Sequence, residues 1–207
     1  MGEILNNIVC DFSKIDIIET IFLSGSQTSN FRDNNSDSDL YIYSNDVVSI
    51  KKREEIAKKY SDRYEINNNY WENGDEWICR DSGLVIDIMY RSFDWIDNML
   101  DNVVNKHYAS IGYTTCFWNN IINSKILYDK NSMGKSLIKK YNLPYPEELK
   151  YNIIKKNYPL LKDNISSYYV QIAKAIIRND YVSINHRIAA FLASYFDIIF
   201  AVNGYLH

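Results

Sequence analysis

Residues 23–43 read LSGSQTSNFRDNNSDSDLYIY, and this stretch determines the fold that we expect. The isoleucine-rich run before it predicts a buried strand that ends at Gly25 and Ser26. A polar segment of turn-forming residues follows. Asp37 and Asp39 then open a second short strand. At a strand period of two, both side chains leave the same face of the sheet.

The Asp37–Asp39 pair places two like charges close together. Such carboxylates repel each other and raise each other's pKa unless a cation lies between them. Hard oxygen ligands suit magnesium, which keeps part of its water and completes its shell with phosphate oxygens. The pair therefore predicts a magnesium site that a phosphate-bearing substrate completes.

A third aspartate, Asp87, interrupts the apolar run LVIDIMY at residues 84–90. Burial of an unpaired carboxylate in a strand is unfavourable or shifts its pKa until the group is neutral, and a metal ion at the strand face removes that difficulty. Three carboxylates on neighbouring strands match the two-metal arrangement for in-line phosphoryl displacement.

Three aromatic residues lie near Asp87 in the sequence: Trp71, Trp77 and Tyr90. They could line an acceptor pocket, although core or hairpin packing explains them equally well.

Gly25 allows the backbone to approach a phosphate closely, and the hydroxyl and amide of Ser26 can donate to it. Gly-Ser, ten further residues, the DSD tripeptide at 37–39 and the later strand residue Asp87 together resemble the nucleotidyltransferase superfamily, which includes DNA polymerase β. More narrowly, the pattern is similar to the small kanamycin and lincosamide nucleotidyltransferases. The match covers roughly residues 17–130.

The resemblance implies an α+β fold, with a nucleotidyltransferase core on a mixed sheet followed by a C-terminal helical bundle. It implies that Gly25 and Ser26 hold the triphosphate and that the three aspartates bind two Mg²⁺ ions, for which Mn²⁺ can substitute. The implied reaction transfers a nucleoside monophosphate from a nucleoside triphosphate, with ATP favoured, to a hydroxyl of a small molecule such as an antibiotic. Kanamycin-type sites are shared between two subunits, so a homodimer is also implied.

The helical half contains weaker candidates for nucleotide-binding and catalytic residues. Kanamycin-type enzymes use a helical Glu as general base and a Lys one turn later as a phosphate contact, and VQIAKAIIRNDY at 170–181 holds the equivalent place. Lys174 would then bind the nucleotide, although a surface lysine is the plainer interpretation. Val170 stands where the Glu should be, which leaves the base and the acceptor unidentified. His186 is another candidate base because its pKa is ordinarily near neutrality, although a structural role is commoner for such a histidine.

Two other interpretations stay open. In a structural one, Asp37 and Asp39 are loop acids, and Asp87 accepts hydrogen bonds or pairs with a cation such as Arg91. In a regulatory one, the chain is a nucleotidyltransferase-fold antitoxin that binds or adenylylates a partner protein. Minimal antitoxin-type members usually lack so long a helical tail, and a helical toxin gene beside this one would favour the regulatory interpretation.

Composition excludes several classes of protein. Lys and Arg total 23 and Asp and Glu total 26, so the net charge of −3 gives no general attraction to nucleic acid. The N-terminal residues lack the pattern of a signal peptide, and no apolar run has the length of a membrane helix, so we expect a cytoplasmic protein without membrane contact. Cys10, Cys79 and Cys116 form no CxxC pair and are expected to be buried apolar residues in a reducing environment.

Hydrophobic periodicity predicts mixed strands and helices up to residue 130 and helices alone after it. We therefore expect a catalytic domain at 1–130 and a helical bundle domain at 131–207. The charged run KKREE at 51–55 is typical of a solvated helix face. The predicted elements are helices at 3–13, 49–63, 93–105, 110–123, 147–161, 165–178 and 183–203, and strands at 15–24, 39–44, 76–80, 84–90 and 125–129, with a loop and a short strand at 64–74.

Overall fold

The computed structural model describes residues 2–25, 37–70 and 72–207. The chain divides into two compact units, Met1–Asp97 with Asn120–Lys140 and Asn98–Asn119 with Tyr141–His207. The predicted division has a single boundary at residue 130, whereas the chain passes three times between these units.

The first unit contains a six-stranded sheet with the order β3-β4-β5-β2-β1-β6. β2 and β5 are parallel and all other neighbours are antiparallel, so the sheet is mixed and the predicted α+β class is confirmed. The strands are β1 Ile18–Ser24, β2 Ser38–Ser44, β3 Ser61–Asn68, β4 Gly74–Cys79, β5 Val85–Arg91 and β6 Lys125–Asp129.

One face of this sheet is the hydrophobic core of the unit. Leu40 and Ile42 of β2 and Ile86 and Ile88 of β5 are fully buried there, against α1 (Glu3–Ser13) and α2 (Ile50–Tyr60), which supply further core side chains. Side chains alternate along a strand, so the residues between these four, among them the aspartates of β2 and β5, project from the opposite face. The periodicity of the sequence predicted this division correctly.

β3 is longer than the sequence predicted, and the helix before it is shorter. α2 ends at Tyr60, three residues before its predicted end. The Ser61 hydroxyl accepts a hydrogen bond from the Arg63 amide at 3.0 Å and donates one to the Ile78 carbonyl of β4 at 2.7 Å. These bonds join the chain to the neighbouring strand at the point where the helix would otherwise continue.

The remaining helices are α3 Phe93–Val104, α4 Cys116–Asn123, α5 Met133–Tyr141, α6 Glu147–Tyr158, α7 Tyr168–Ile177 and α8 Tyr181–Asn203, with a π-helical turn at Pro159–Asp163. α5 was not predicted. α7 and α8 begin at side-chain caps, since Ser167 accepts from the Val170 amide and Asp180 accepts from the Ser183 amide. No helix in the described ranges has the length and apolar character that a membrane span needs.

The second unit includes residues 98–119 because a buried polar network holds the loop before α4. Asp197 of α8 is buried and accepts hydrogen bonds from the Thr114 amide and hydroxyl at 3.0 and 2.7 Å. Asn157 of α6 accepts from the Gly112 amide and donates to the Ser110 carbonyl, both at 3.0 Å. These long-range bonds fix a loop at the positions predicted to start a helix, so the prediction for 110–115 was wrong.

The cysteine prediction was wrong for one residue of three. Cys79 is buried, Cys116 is half-buried, and Cys10 is exposed on the solvent side of α1. No disulfide joins any of the three.

Candidate functional site

A row of acidic residues crosses the face of the sheet opposite to α1 and α2, which is called the open face below. In the parallel pairing of β2 and β5, Asp39 lies directly beside Asp87. Glu76 of β4 lies opposite Asp87 on its other side, and Glu65 of β3 lies opposite Glu76. Residues paired in register project from the same face, so four carboxylates follow one another across four neighbouring strands.

The two central carboxylates of this row have raised pKa values. Burial raises the pKa of Asp39 to about 6, and the charges of Asp87 and Asp37 add to the shift. Burial likewise raises the pKa of Asp87, with contributions from Glu76 and Asp37. Neither Asp39 nor Asp87 forms an ion pair with a residue in the described ranges. Their mutual repulsion is therefore uncompensated, which is the situation that a bound cation relieves.

We expect Asp39→Asn to stabilise the metal-free protein at pH 7 but not at pH 4. The folded-state pKa of about 6 lies above the ordinary value of 3.8, so the stabilisation given by the bound proton is complete below about pH 4 and is lost as the pH rises through 6. Asparagine mimics the neutral acid. Because the carboxylate is partly exposed, we expect a gain of about 1–2 kcal/mol at pH 7, below the full value of the shift.

Urea unfolding in excess chelator at a series of pH values measures this difference. Asp62→Asn is the control, because the ion pair of Asp62 with Arg80 lowers its pKa. A stability difference between Asp39→Asn and the parent that does not grow from pH 4 to pH 7 would contradict the prediction.

Gly25 lies directly against Asp39. Its φ of +66° is in the left-handed region, and a Cβ at this position would lie 1.7 Å from Oδ2 of Asp39. Only glycine leaves the carboxylate in this place. The close neighbour of Gly25 in the structure is thus Asp39, and the approach of a phosphate to this glycine stays a prediction.

The backbone next to Asp39 is anchored from the β1 side. Ser24 pairs with Asp39 across β1 and β2, and its hydroxyl donates a hydrogen bond to the Asn120 side chain of α4. The Asn120 amide in turn donates to the Tyr41 hydroxyl at 2.9 Å. Asn120 thereby ties the two strands together on the open face. Neither Ser24 nor Asn120 was singled out from the sequence, since nothing local relates residues so far apart.

The structure gathers two of the three predicted metal ligands. Asp37 is exposed at the start of β2, although its charge acts on the pKa of both Asp39 and Asp87. The described part of the chain has no group of three or more His, Cys, Asp or Glu arranged to hold a metal ion. Asp39 and Asp87 nevertheless form an adjacent carboxylate pair of the type that magnesium binds, with its remaining ligands taken from water and phosphate.

The other predicted site residues have different outcomes. Ser26 and Trp71 fall outside the described residues. Lys174 is exposed on α7 and His186 is exposed on α8, both in the second unit, so their roles stay predictions. Trp77 is fully buried and its ring stacks on Phe12 at 5.9 Å. Of the two interpretations given for Trp77, core packing is therefore the correct one.

Arg91 pairs with a different acid from the one considered in the structural interpretation. Its guanidinium binds Glu72, with Nε–Oε1 and Nη2–Oε2 distances of 2.5 and 2.7 Å. It also lies over the ring of Tyr41, 4.3 Å from the centroid. Arg91 thus borders the open face without neutralising the carboxylate of Asp87.

A cavity of about 280 Å³ adjoins Asp87 on the β4 side. Glu76 and Glu72 line it together with Asn68 and Met89. Glu76 is exposed and directly across from Asp87. Glu76 was not singled out from the sequence. The alternation of EWIC, which puts Glu76 on the face opposite to Trp77, is the signal that could have indicated it.

No protein-family model and no curated protein matches this chain. Among solved structures, the chain is similar to a nucleotidyltransferase-like protein from Exiguobacterium sibiricum, with 11% identity and a TM-score of 0.42 over 96% of this chain. The match spans 56% of the length of that protein.

Two toxin–antitoxin structures are also similar. A mutant MntA–HpeT has 14% identity and a TM-score of 0.39, over 76% of this chain and 95% of that one. A toxin–antitoxin with AMP-PNP has 13% identity and a TM-score of 0.36, over 76% of this chain and 96% of that one.

Proposed function

We propose that this chain is a magnesium-dependent nucleotidyltransferase, which transfers a nucleoside monophosphate from a nucleoside triphosphate to an acceptor hydroxyl. The observation that carries the proposal is the pairing of Asp39 with Asp87 on adjacent parallel strands, in register and without a counter-charge among the described residues. Gly25 supports it, because the absence of a side chain there keeps the Asp39 carboxylate in place.

The donor set fits a hard divalent cation. Asp39 and Asp87 would hold Mg²⁺ or Mn²⁺, with Asp37 as the third carboxylate at the edge of the same face. Two such ions, when bound, would neutralise the triphosphate and stabilise the attacking and leaving oxygens. In the proposed reaction an acceptor oxygen forms a bond to the α-phosphorus, the bond from that phosphorus to the bridging oxygen breaks, and pyrophosphate leaves.

The chain's own residues have distinct proposed parts in this reaction. Gly25 and Ser26 would hold the triphosphate through backbone and hydroxyl donors, and Lys174 is a further candidate phosphate contact. The proton of the acceptor hydroxyl must pass to a base. Val170 cannot serve as that base, and we propose Glu76, which lies beside Asp87 and lines the cavity on the β4 side, as a candidate contact for the acceptor.

We propose a small molecule as the acceptor and ATP as the donor, as the resemblance implies. The proposal is tested by incubating the chain with each of the four ribonucleoside triphosphates, Mg²⁺ and a panel of aminoglycosides and lincosamides, with pyrophosphate release as the readout. A purified helical toxin as the acceptor tests the regulatory interpretation in parallel. Absence of nucleotide binding by calorimetry in the presence of Mg²⁺ would contradict nucleotidyl transfer to either acceptor and would leave only an antitoxin that acts by binding.

We expect Gly25→Ala to lower the affinity for nucleotide at least about tenfold, whereas Gly83→Ala leaves it unchanged. Both glycines have a φ near +66°, so both variants incur a similar conformational cost of about 1 kcal/mol. Nothing lies within 4 Å of a Cβ at Gly83, but a Cβ at Gly25 displaces the carboxylate of Asp39. Calorimetry with Mg²⁺ and a non-hydrolysable triphosphate measures the difference, and equal affinities in the two variants would remove Gly25 from the site.

A further inference from the structure

α8 has its apolar and polar faces reversed. Most helices of a globular protein bury an apolar stripe and expose a polar one. In α8, the residues that are fully buried are Ser194, Asp197 and Ala201, two of them polar and the third small. Eight large apolar side chains of the same helix are exposed, whereas Ile184, Phe191, Ile198 and Phe200 are half-buried.

Seven of these exposed side chains form a single stripe, and Val182 lies outside it. At 100° per residue they fall within a sector of roughly one third of the helix circumference, opposite to the buried residues. Each is between 38% and 76% exposed. The stripe residues are Tyr181, Ile188, Leu192, Tyr195, Phe196, Ile199 and Val202.

The stripe is large enough to require a partner. A large side chain buries about 150–250 Å² when it is covered, so these exposed fractions amount to roughly 500–700 Å² of apolar surface along a helix about 35 Å long. The largest apolar patch of a typical monomer is about 300–600 Å² and is often functional, so the stripe lies at the upper end of that range or above it. A stable interface buries about 800 Å² on each side, so the stripe supplies most of one side by itself.

The charges of α8 indicate which partner covers the stripe. Arg187 and Asp197 are the only charged residues between Tyr181 and Asn203, and neither belongs to the stripe. In a two-fold pairing the same patch meets itself, so any charge on it would meet its own copy. A surface without charges suffers no such repulsion, and it offers nothing to attract a charged partner selectively.

We propose that the α8 stripe is the homodimer interface of this protein, covered by the α8 stripe of a second copy. A homodimer, implied earlier by resemblance alone, is thereby assigned to a defined surface. The polar network of Asp197 with Thr114 and Asn157 on the opposite side of α8 holds the helix in its unit while its apolar side faces the second copy. The proposal does not depend on the catalytic activity.

Light scattering and sedimentation of the full chain over a range of concentrations test the interface. We expect a dimer, and we expect the double variant Leu192→Glu/Phe196→Glu to be monomeric, with a dissociation constant at least about 100-fold higher. Ile165→Glu is the matched control, because Ile165 is an exposed isoleucine of the same unit outside α8, and its variant should remain a dimer.

Circular dichroism and melting of the double variant establish that it stays folded, and Leu192→Ser/Phe196→Ser replaces it if it does not. A parent chain that is monomeric at every concentration overturns the proposal, whether the stripe is then bare or covered by the chain itself. A dimer that persists in the charged double variant also overturns it, because the interface then lies elsewhere. A monomeric parent chain that binds a different protein through the stripe also overturns the proposal.

Discussion

Asp87→Asn is expected to lower nucleotidyl transfer by at least about 100-fold while the metal-free protein stays as stable as the parent or becomes more stable. In the proposed reaction Asp87 holds a cation that stabilises the transition state, and asparagine removes one ligand charge at nearly constant shape. Without metal, Asp87 is repelled by Glu76 and Asp37 and has no ion-pair partner among the described residues. Removal of its charge therefore relieves repulsion in the metal-free fold.

Pyrophosphate release with Mg²⁺ measures the first effect, and urea unfolding in excess chelator measures the second. Glu65→Gln is a suitable control, because Glu65 lies in the same row and is exposed two strands from Asp87. This control should retain transfer activity. A clearly destabilised Asp87→Asn protein would sink the metal-ligand assignment, since its lost activity would then follow from unfolding. Full activity in the variant would do the same.

The fold of the first unit could be predicted closely from the sequence because its signals are local. The isoleucine-rich run before Gly25, the apolar run at 84–90 and the alternation around Asp39 each lie within a few residues. The alternation also indicated that Asp37 and Asp39 leave the same face, whereas Asp87 was expected to be buried and is half-buried. The register of Asp39 beside Asp87 is a property of the parallel pairing of β2 with β5, which the sequence pattern alone did not specify.

What the sequence did not predict depends on distant contacts. Ser24 meets Asn120, and Asp197 meets Thr114, across separations of 96 and 83 residues. The reversed faces of α8 were also missed, because a helix with apolar residues on most of its sides gives no indication of which side is covered. In each case the residue types permit the contact, but only the folded chain selects it.

Arg53 is the clearest case of a local pattern that misleads. The run KKREE indicated a solvated helix face, yet the Arg53 side chain is only 2% exposed. Its guanidinium pairs with the fully buried carboxylate of Asp75 on β4 and lies 4.2 Å from the ring centroid of Tyr90. Asp75 also accepts from the Tyr90 hydroxyl at 2.6 Å and from the Asn67 amide at 2.9 Å. The whole network lies in the first unit and joins α2 to β3, β4 and β5.

Asp75→Asn is expected to lower the free energy of unfolding by about 3–5 kcal/mol, because it leaves the Arg53 charge buried without its counter-ion. Arg53→Met should cost a similar amount by leaving the Asp75 carboxylate unpaired. The double variant should lose less than the sum of the two, since it leaves neither charge alone. Urea unfolding of all four proteins gives the coupling energy directly.

Asp62→Asn is the matched control. Asp62 also pairs with an arginine, Arg80, but at the surface, where loss of the pair changes stability little. If the buried and exposed variants lose the same stability, or if the losses at Arg53 and Asp75 are additive, the network does not hold α2 on the sheet.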